Sequence, residues 1–441
     1  MHPAEESPSP TTFVDVSTSD PPPPAHVPSP LEPVAASERI ATLDILRGIA
    51  LLGVLIANVW LWFSGTLFLF PGLQHQLRQP SLDSAVFLLI GLLISGKALS
   101  TFSFLFGLGF AVQMMRAEAR GRGIAGLYSR RLAVLLVLGI VHGVFLWYGD
   151  ILATYAMLGF VLLLFRHRRQ RTLLVWAFVL IVAVPLALGT IGTVMQLTAA
   201  EPDKTPAERI GEMEEENRGK LERFTSGRYT DMVRGNLVML RDMYGSPKSL
   251  SMLMFLGIFL VGLYAGRRRV FEDVSAHRVL LRRVAVWGLL LGVPATLASF
   301  GLRLAFAIEE IITLPWFPLA MMASQALGTV PFALGYIAVA TLLLEDPRWR
   351  ARLAVFAPVG RMALTNYLSQ TLICLAIFYV GGMLGKFRPA LNLLIALLIF
   401  IVQMWFSAWW LQRYRFGPME WVWRSLTYGA AQRMRRNEVE R

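Results

Sequence analysis

The chain has 441 residues, 55% of them hydrophobic and only 16% charged, against about a quarter charged in soluble domains. One soluble core cannot hide that much apolar surface, whereas a bilayer solvates it directly. The formal charge of +13 would suit nucleic acid only if the basic residues shared one soluble face; they fall instead in short clusters between apolar stretches, so no nucleic-acid partner is expected.

Residues 1–38 are rich in Pro, Ser, Thr and Glu, with Pro21 to Pro24 in a row. Such a stretch buries too little apolar surface to order itself and reads as a disordered tail. It has no basic start followed by an apolar run, so it is not read as a signal peptide. Apolar stretches long enough to cross a bilayer come after it, at 45–64, 98–115, 132–148, 151–165, 172–196, 250–266, 284–306, 318–344, 362–380 and 390–411. The expected fold is all-α, a polytopic transmembrane helical bundle of about ten spans. Arginine clusters at 116–131, 166–171, 267–283 and 348–352, together with the basic stretch from Arg413, share one side if both termini are cytoplasmic. Counting the apolar stretch 85–95 as a further span would break that segregation, so it is read as an interfacial or re-entrant segment on the outer face; an N-out chain with an extra span is the alternative. The expected organisation is a cytoplasmic tail 1–38, a transmembrane domain 39–428 with an extracytoplasmic loop 198–248, and a basic cytoplasmic tail 429–441. Within that loop, residues 208–223 are charged and helix-compatible. They suit a solvated helical hairpin or a substrate-binding lid. Gly262-x-x-x-Gly266 offers small residues for close helix packing.

Ionisable groups inside spans are costly and therefore informative. Asp44 and Arg47 are three apart at the start of the first span and can pair there. Asn58 lies eleven residues beyond Arg47, close to three helical turns, so the two share a face. They act either as an anchor or as a ligand-facing pair. His142 is the one histidine of six that lies within a span, and Asp150 and Tyr155 come at the next turn. An imidazole beside a carboxylate is a candidate general base. The structural account is that His142 bonds across helices and Asp150 caps the next helix. Lys97 precedes the second span, where snorkelling to the interface is its default. Arg361 and Asn366, in GRMALTNYLSQ, suit either coordination of a polar group or the pinning of helix ends. Cys374 is the only cysteine, which excludes an intrachain disulfide and a multi-cysteine metal site. No metal site is expected. Phosphate-loop, nucleophile-elbow and zinc-protease signatures are absent from the sequence.

The segments RIATLDILRGIALLGVLIAN, GKALSTFSFLFGLGFA, IVHGVFLWYGDILATYA, GRMALTNYLSQTLIC and FGPMEWVWRSLTY, in this order from Arg39 to Tyr428, resemble the bacterial YeiB-type membrane proteins, labelled domain of unknown function 418. The resemblance implies a fold more than an activity. More distantly, the first span is similar to that of transmembrane acyltransferases. One bacterial branch of these has an Arg, ten residues, then a His, and here Arg47 is followed at that spacing by Asn58. The branch that includes heparan-alpha-glucosaminide N-acetyltransferase also has Asn there and uses a histidine beyond the first span. His75 sits in the comparable outer loop, and His142 sits in a family motif.

The resemblance implies an acyl or acetyl transferase of the bacterial inner (cytoplasmic) membrane. The acceptor would be an envelope glycan, lipid or exported small molecule. His142 and Asp150 are the expected catalytic pair. Arg47, Asn58, Lys97, Tyr155, Arg361 and Asn366 are the expected donor- or substrate-binding residues. No bound cofactor is expected, and acyl-CoA would serve as donor substrate. A transporter or exporter, in which the same polar residues line a pathway, is the competing expectation, and a non-catalytic scaffold the third. The sequence shows no clear internal repeat of the kind transporters carry.

Overall fold

The computed structural model describes residues 41–69, 79–121, 123–198, 204–386 and 388–436. The expected tail 1–38 and His75 lie outside them. In hydrocarbon every backbone polar group must be satisfied within its own segment, so apolar runs of this length become helices. In chain order these are α1 (Ala41–Phe63), α2 (Leu82–Leu93), α3 (Lys97–Ala119), α4 (Ala125–Phe145), α5 (Leu152–Leu163) and α6 (Gln170–Thr198). The polar connection gives α7 (Pro206–Thr225) and α8 (Tyr229–Gly245). Then come α9 (Leu253–Arg267), α10 (Arg278–Ala305), α11 (Phe317–Leu343), the short α12 (Ala357–Arg361), α13 (Ala363–Val380), α14 (Pro389–Arg413) and α15 (Pro418–Tyr428).

Among the described residues, nine helices are long and apolar enough to cross a membrane, and α5 is a shorter apolar helix beside them. The chain is thus a polytopic helical membrane protein, and the ten expected stretches fall on these nine helices and on α5. α4 starts at Ala125 rather than at residue 132. Arg131 fits inside its first turns because it lies 3.9 Å over the Trp423 ring and donates to Gln113 Oε1 at 3.3 Å. The outward faces of α6, α10 and α14 are apolar and exposed, with Val175, Phe178, Trp287, Leu291, Ile401 and Trp405 among them. That surface suits lipid rather than water.

Side-chain contacts sort the two ends of the bundle. At one end Arg267 donates to the carbonyls of Phe165, Arg166 and Arg168, Arg278 pairs with Glu345, and Arg131 meets Trp423. The basic clusters are thereby brought to a common end. At the other end lies the α7–α8 hairpin. Thr205 and Glu208 cap α7 reciprocally, the capping-box pattern, and Phe224 inserts among Phe68, Tyr148 and Tyr379. The loop expected as a helical hairpin is one.

The segment 85–95 is not an additional span, and it is not a loop that turns back either. Phe87 of α2 packs on Trp60, Ile94 and Ala98 lie against Gly53, and Gly109 of α3 lies beside Arg47. The path therefore descends along α1 in one direction, with a break at Gly96, whose φ is +75°. α2 and α3 are two parts of one candidate span, Leu82–Ala119, so the segment adds nothing to the count of nine.

Close packing and local widening both shape the interior of the bundle. Gly262 lies directly against the backbone of Phe104 and Leu108 on α3, so a side chain there would force α9 and α3 apart; this is the close approach that Gly262-x-x-x-Gly266 suggests. Three crossings also widen into π-helical turns, at Val59–Phe63, Val179–Ala183 and Leu375–Val380. Two of these, in α1 and α13, border a buried polar cluster around His142.

Candidate active site: a buried carboxylate–imidazole–hydroxyl chain

His142 lies three residues before the end of α4, and Asp150 lies two residues before α5 begins. The intervening turn folds Asp150 back, so His142 Nδ1 is 2.9 Å from Asp150 Oδ1. The second carboxylate oxygen accepts from the Ala153 backbone N–H at 2.8 Å. Asp150 therefore both orients the histidine and caps α5, combining the two readings that the sequence leaves open. The close fit depends on Gly139: a methyl group there would meet Ala153 N and Asp150 Oδ2. His142 and Asp150 are 2% and 3% exposed, so both must be hydrogen-bonded at every polar atom to be tolerated.

The other ring nitrogen finds its partner far along the chain. His142 Nε2 is 3.0 Å from Thr371 Oγ1 on α13. With Asp150 ionised, Nδ1 carries the proton and Nε2 is the acceptor for the Thr371 hydroxyl. Tyr367, one turn before Thr371, lies with its ring centroid 5.5 Å from the imidazole and tilted by 46°, and its hydroxyl accepts from Ile151 N at 3.4 Å. Three crossings, α4, α5 and α13, thus meet on one hydrogen-bonded chain.

Above this chain sits an aromatic layer. Trp147 stacks on Phe63 at 4.3 Å and meets Trp62 edge-on at 6.5 Å. Both partners belong to the π-helical turn of α1. The Trp147 indole N–H and the Tyr148 hydroxyl are buried in this layer without a hydrogen-bond partner among the described residues. The hairpin closes over it. Asn236 donates to the Val144 carbonyl at 3.1 Å, Tyr229 donates to the Phe145 carbonyl at 2.8 Å, and the Tyr244 and Thr154 hydroxyls are 2.7 Å apart. Burial raises the Tyr244 phenol above its usual range, the hydrogen bond with Thr154 opposes this, and the nearby Asp150 charge adds to it.

The remaining candidates lie elsewhere. Arg47 pairs with Asp44 at 3.0 Å and faces Gly109. It is eleven residues before the half-buried Asn58, or about 16 Å along the helix. Arg361 ends α12, whose Gly360 lies against the Asp44 backbone, so it belongs to the same basic end. Lys97 does not snorkel. It is 3% exposed, donates to the Gly91 carbonyl at 3.2 Å and lies 5.7 Å from the Phe332 centroid. Gly91 is in the last turn of α2, so the ammonium caps that helix end at the break. The Tyr155 hydroxyl turns away from His142 to Ser103 Oγ at 2.6 Å and the Leu99 carbonyl at 3.2 Å. Asn366 donates to Ser407 Oγ at 3.0 Å, and Gln370 and Gln403 pair at 2.9 Å; these join α13 to α14. Among the described residues no group of three His, Cys, Asp or Glu side chains is placed to hold a metal ion.

The family described as Protein of unknown function (DUF418) matches residues 265–430. The chain is 32% identical to the Uncharacterized protein YxaH of Bacillus subtilis (strain 168) over 425 residues, covering 91% of this chain and 97% of that protein. The chain belongs to the YeiB-type, DUF418 family. It is 30% identical to the Uncharacterized protein YeiB of Escherichia coli (strain K12) over 408 residues, covering 89% and 97% of the two chains. It is 27% identical to an Uncharacterized 39.9 kDa protein in the amylase 3' region of Bacillus acidopullulyticus, covering 90% and 96%. No solved structure matches. The matched DUF418 segment of this YeiB-type chain holds Thr371, whereas His142 and Asp150 precede it.

Thr371 is the member of the hydrogen-bonded chain that the sequence alone did not single out. Its signal is the polar run TNYLSQT at 365–371 inside a span. There Tyr367 and Thr371 are four apart and so share a helix face.

Proposed function

We propose that this chain is an integral-membrane acyltransferase in which Asp150, His142 and Thr371 act as orienting acid, base and nucleophile. The observation that carries the reading is the order carboxylate–imidazole–hydroxyl at 2.9 and 3.0 Å, since an activated hydroxyl needs a base in reach and a third group orienting that base. His142 Nε2 takes the Thr371 proton as Oγ1 attacks the carbonyl carbon of an acyl thioester. The C–S bond then breaks, and the departing thiolate receives that proton. The acceptor's hydroxyl or amine next attacks the acyl-threonine ester while His142 takes its proton, which passes to Thr371 as the ester bond breaks. The donor is an acyl-CoA-type thioester, with its phosphates beside Arg47 and Arg361 at the basic end. That end is taken as cytoplasmic in the inner membrane of a bacterium. The acceptor is an envelope glycan, lipid or exported small molecule entering under the α7–α8 hairpin, where the Trp147 and Tyr148 polar groups would meet it.

The test uses the full chain in proteoliposomes with isotope-labelled acetyl-CoA, together with complementation of a deletion strain whose metabolites have been profiled. Wild type and Thr371→Ser should take up label, detected as an acetyl mass increment on the intact protein. Thr371→Val and His142→Gln should take up none and should fail to complement. Gln can keep a hydrogen bond but cannot cycle a proton near neutral pH, so a merely structural histidine would tolerate it. Normal complementation by His142→Gln at matched expression would sink the reading. A second reading, transport, is favoured by the π-helical turns in α1, α6 and α13, since such turns often mark functional sites. It predicts substrate flux in proteoliposomes without acyl labelling.

A further inference from the structure

At the basic end, a cleft of about 390 Å³ lies between the start of α6 and the end of α9, lined by Arg169, Gln170, Arg171, Leu174, Tyr264 and Arg268. Its walls are held in place. The Arg267 guanidinium donates to the Arg168 carbonyl at 2.6 Å, to the Phe165 carbonyl at 3.2 Å and to the Arg166 carbonyl. Those bonds close off the end of α5 and fix the α5–α6 connection against α9. Arg268 donates from Nε to Gln170 Oε1 at 3.0 Å and lies 5.4 Å from the Tyr264 centroid. One face of the cleft is therefore preset rather than a loose run of basic side chains.

The charges inside it are not balanced. The Arg169 and Arg171 side chains are exposed and form no ion pair or hydrogen bond among the described residues. The nearby carboxylate, Glu118, acts on Arg267. Arg169 is also the N-terminal flanking residue of α6 and has no side-chain cap. The first backbone bond of that helix runs from Leu173 N to the Arg169 carbonyl, so the N–H groups of residues 170–172 add positive potential. Three guanidinium groups in one small cleft repel each other unless an anion joins them, and their forked donors match phosphate oxygens. Leu174, 42% exposed, lines the same cleft, and Val175 and Phe178 continue an exposed apolar strip along α6.

We propose that this cleft binds a phosphate ester, its phosphoryl oxygens on Arg169, Arg171 and Arg268 and its apolar remainder along Leu174. The site stands on its own charges and cavity and does not depend on the transferase reading. Two sources carry this chemistry: the headgroup of an anionic phospholipid and a soluble phosphorylated ligand. Full-length protein in detergent would be titrated with phosphatidylglycerol against phosphatidylcholine, and separately with inorganic pyrophosphate at constant ionic strength, reading the thermal midpoint and Kd. The test variant is the double substitution Arg169→Gln/Arg171→Gln. Both side chains are exposed and unbonded, so folding should survive. Arg282→Gln/Arg283→Gln removes the same two charges from the same end and serves as control. Wild type and control should bind at least one of the two probes, and the test variant should bind it at least tenfold more weakly. Binding of phosphatidylglycerol but not pyrophosphate assigns a lipid, and binding of pyrophosphate assigns a soluble phosphate. Equal weakening in both double variants, or binding of neither probe by wild type, overturns the site.

Discussion

The tightest constraint at the site falls on a residue with no functional group. Gly139 brings α4 close enough to α5 for Asp150 to reach His142, and a methyl group there would collide with Ala153 N and Asp150 Oδ2. Gly139→Ala should therefore act through displacement of Asp150. Misplacing a catalytic group by about 1 Å can cost on the order of a hundredfold in rate. The expected outcome is a loss of activity close to that of Asp150→Asn, together with a loss of about 1–3 kcal/mol of stability in detergent, since the methyl group meets the backbone of α5. Turnover of Gly139→Ala at the wild-type rate would separate Asp150 from function. His142 and Asp150 were legible in the sequence because they flank one turn, so local chain geometry alone can join them. Thr371 was not, because 229 residues separate it from His142 and nothing local states which span packs there. Lys97 shows the opposite difficulty: its neighbours in sequence suggest an interface, while the Gly91 carbonyl and the Phe332 ring that surround it become apparent only in the folded bundle.

Among the elements, α15 and the α7–α8 hairpin each carry a contact that a single substitution can test. Glu420 of α15 accepts from Leu364 N at 2.6 Å, from Thr365 N at 3.2 Å and from Thr365 Oγ1 at 2.5 Å. It thereby caps α13, the helix that carries Thr371. Hydrogen bonds to a charged group contribute about 1.5–3 kcal/mol each, so Glu420→Gln should lower stability by about that amount. Thr365→Val should show coupling with it in a double-mutant cycle of thermal unfolding; additive effects would remove Glu420 as the clamp. The hairpin is anchored by Phe224, 4% exposed. Truncating a buried Phe to Ala costs about 3–5 kcal/mol. For a locally opening unit that corresponds to about a hundredfold or more in amide exchange. Phe224→Ala should show that increase across residues 206–245, with the exchange of α9 and α11 unchanged. Uniform acceleration over the whole chain would mean that the hairpin does not open as a unit. The π-helical turns of α1 and α13 were not legible in the sequence, because no residue type marks a widened turn as Pro marks a kink.

For the molecule as a whole, the long apolar runs made the nine candidate spans and the shorter α5 legible, since hydrocarbon leaves few alternatives to a helix. The gathering of basic clusters at the end opposite the hairpin leads to a topology test. Single cysteines near Glu214 should react with an impermeant reagent added to intact cells, and those near Arg269 or Arg120 should not. Labelling at Arg120 from outside would reverse the assignment. The spacing of the buried chain along the polypeptide also bears on biogenesis. His142 and Asp150 are eight residues apart, and Thr371 lies 229 residues beyond His142. At roughly 5–20 residues per second, the ribosome takes about 10–45 s to make up that distance. The α4–α5 pair must therefore enter the bilayer with an imidazole nitrogen lacking its final partner, and must wait for α13 to arrive. A nascent chain stalled before α13 would hold the His–Asp pair already formed yet lack the Thr371 hydroxyl, so on the proposed transferase reading it would be inactive until the last crossings assemble.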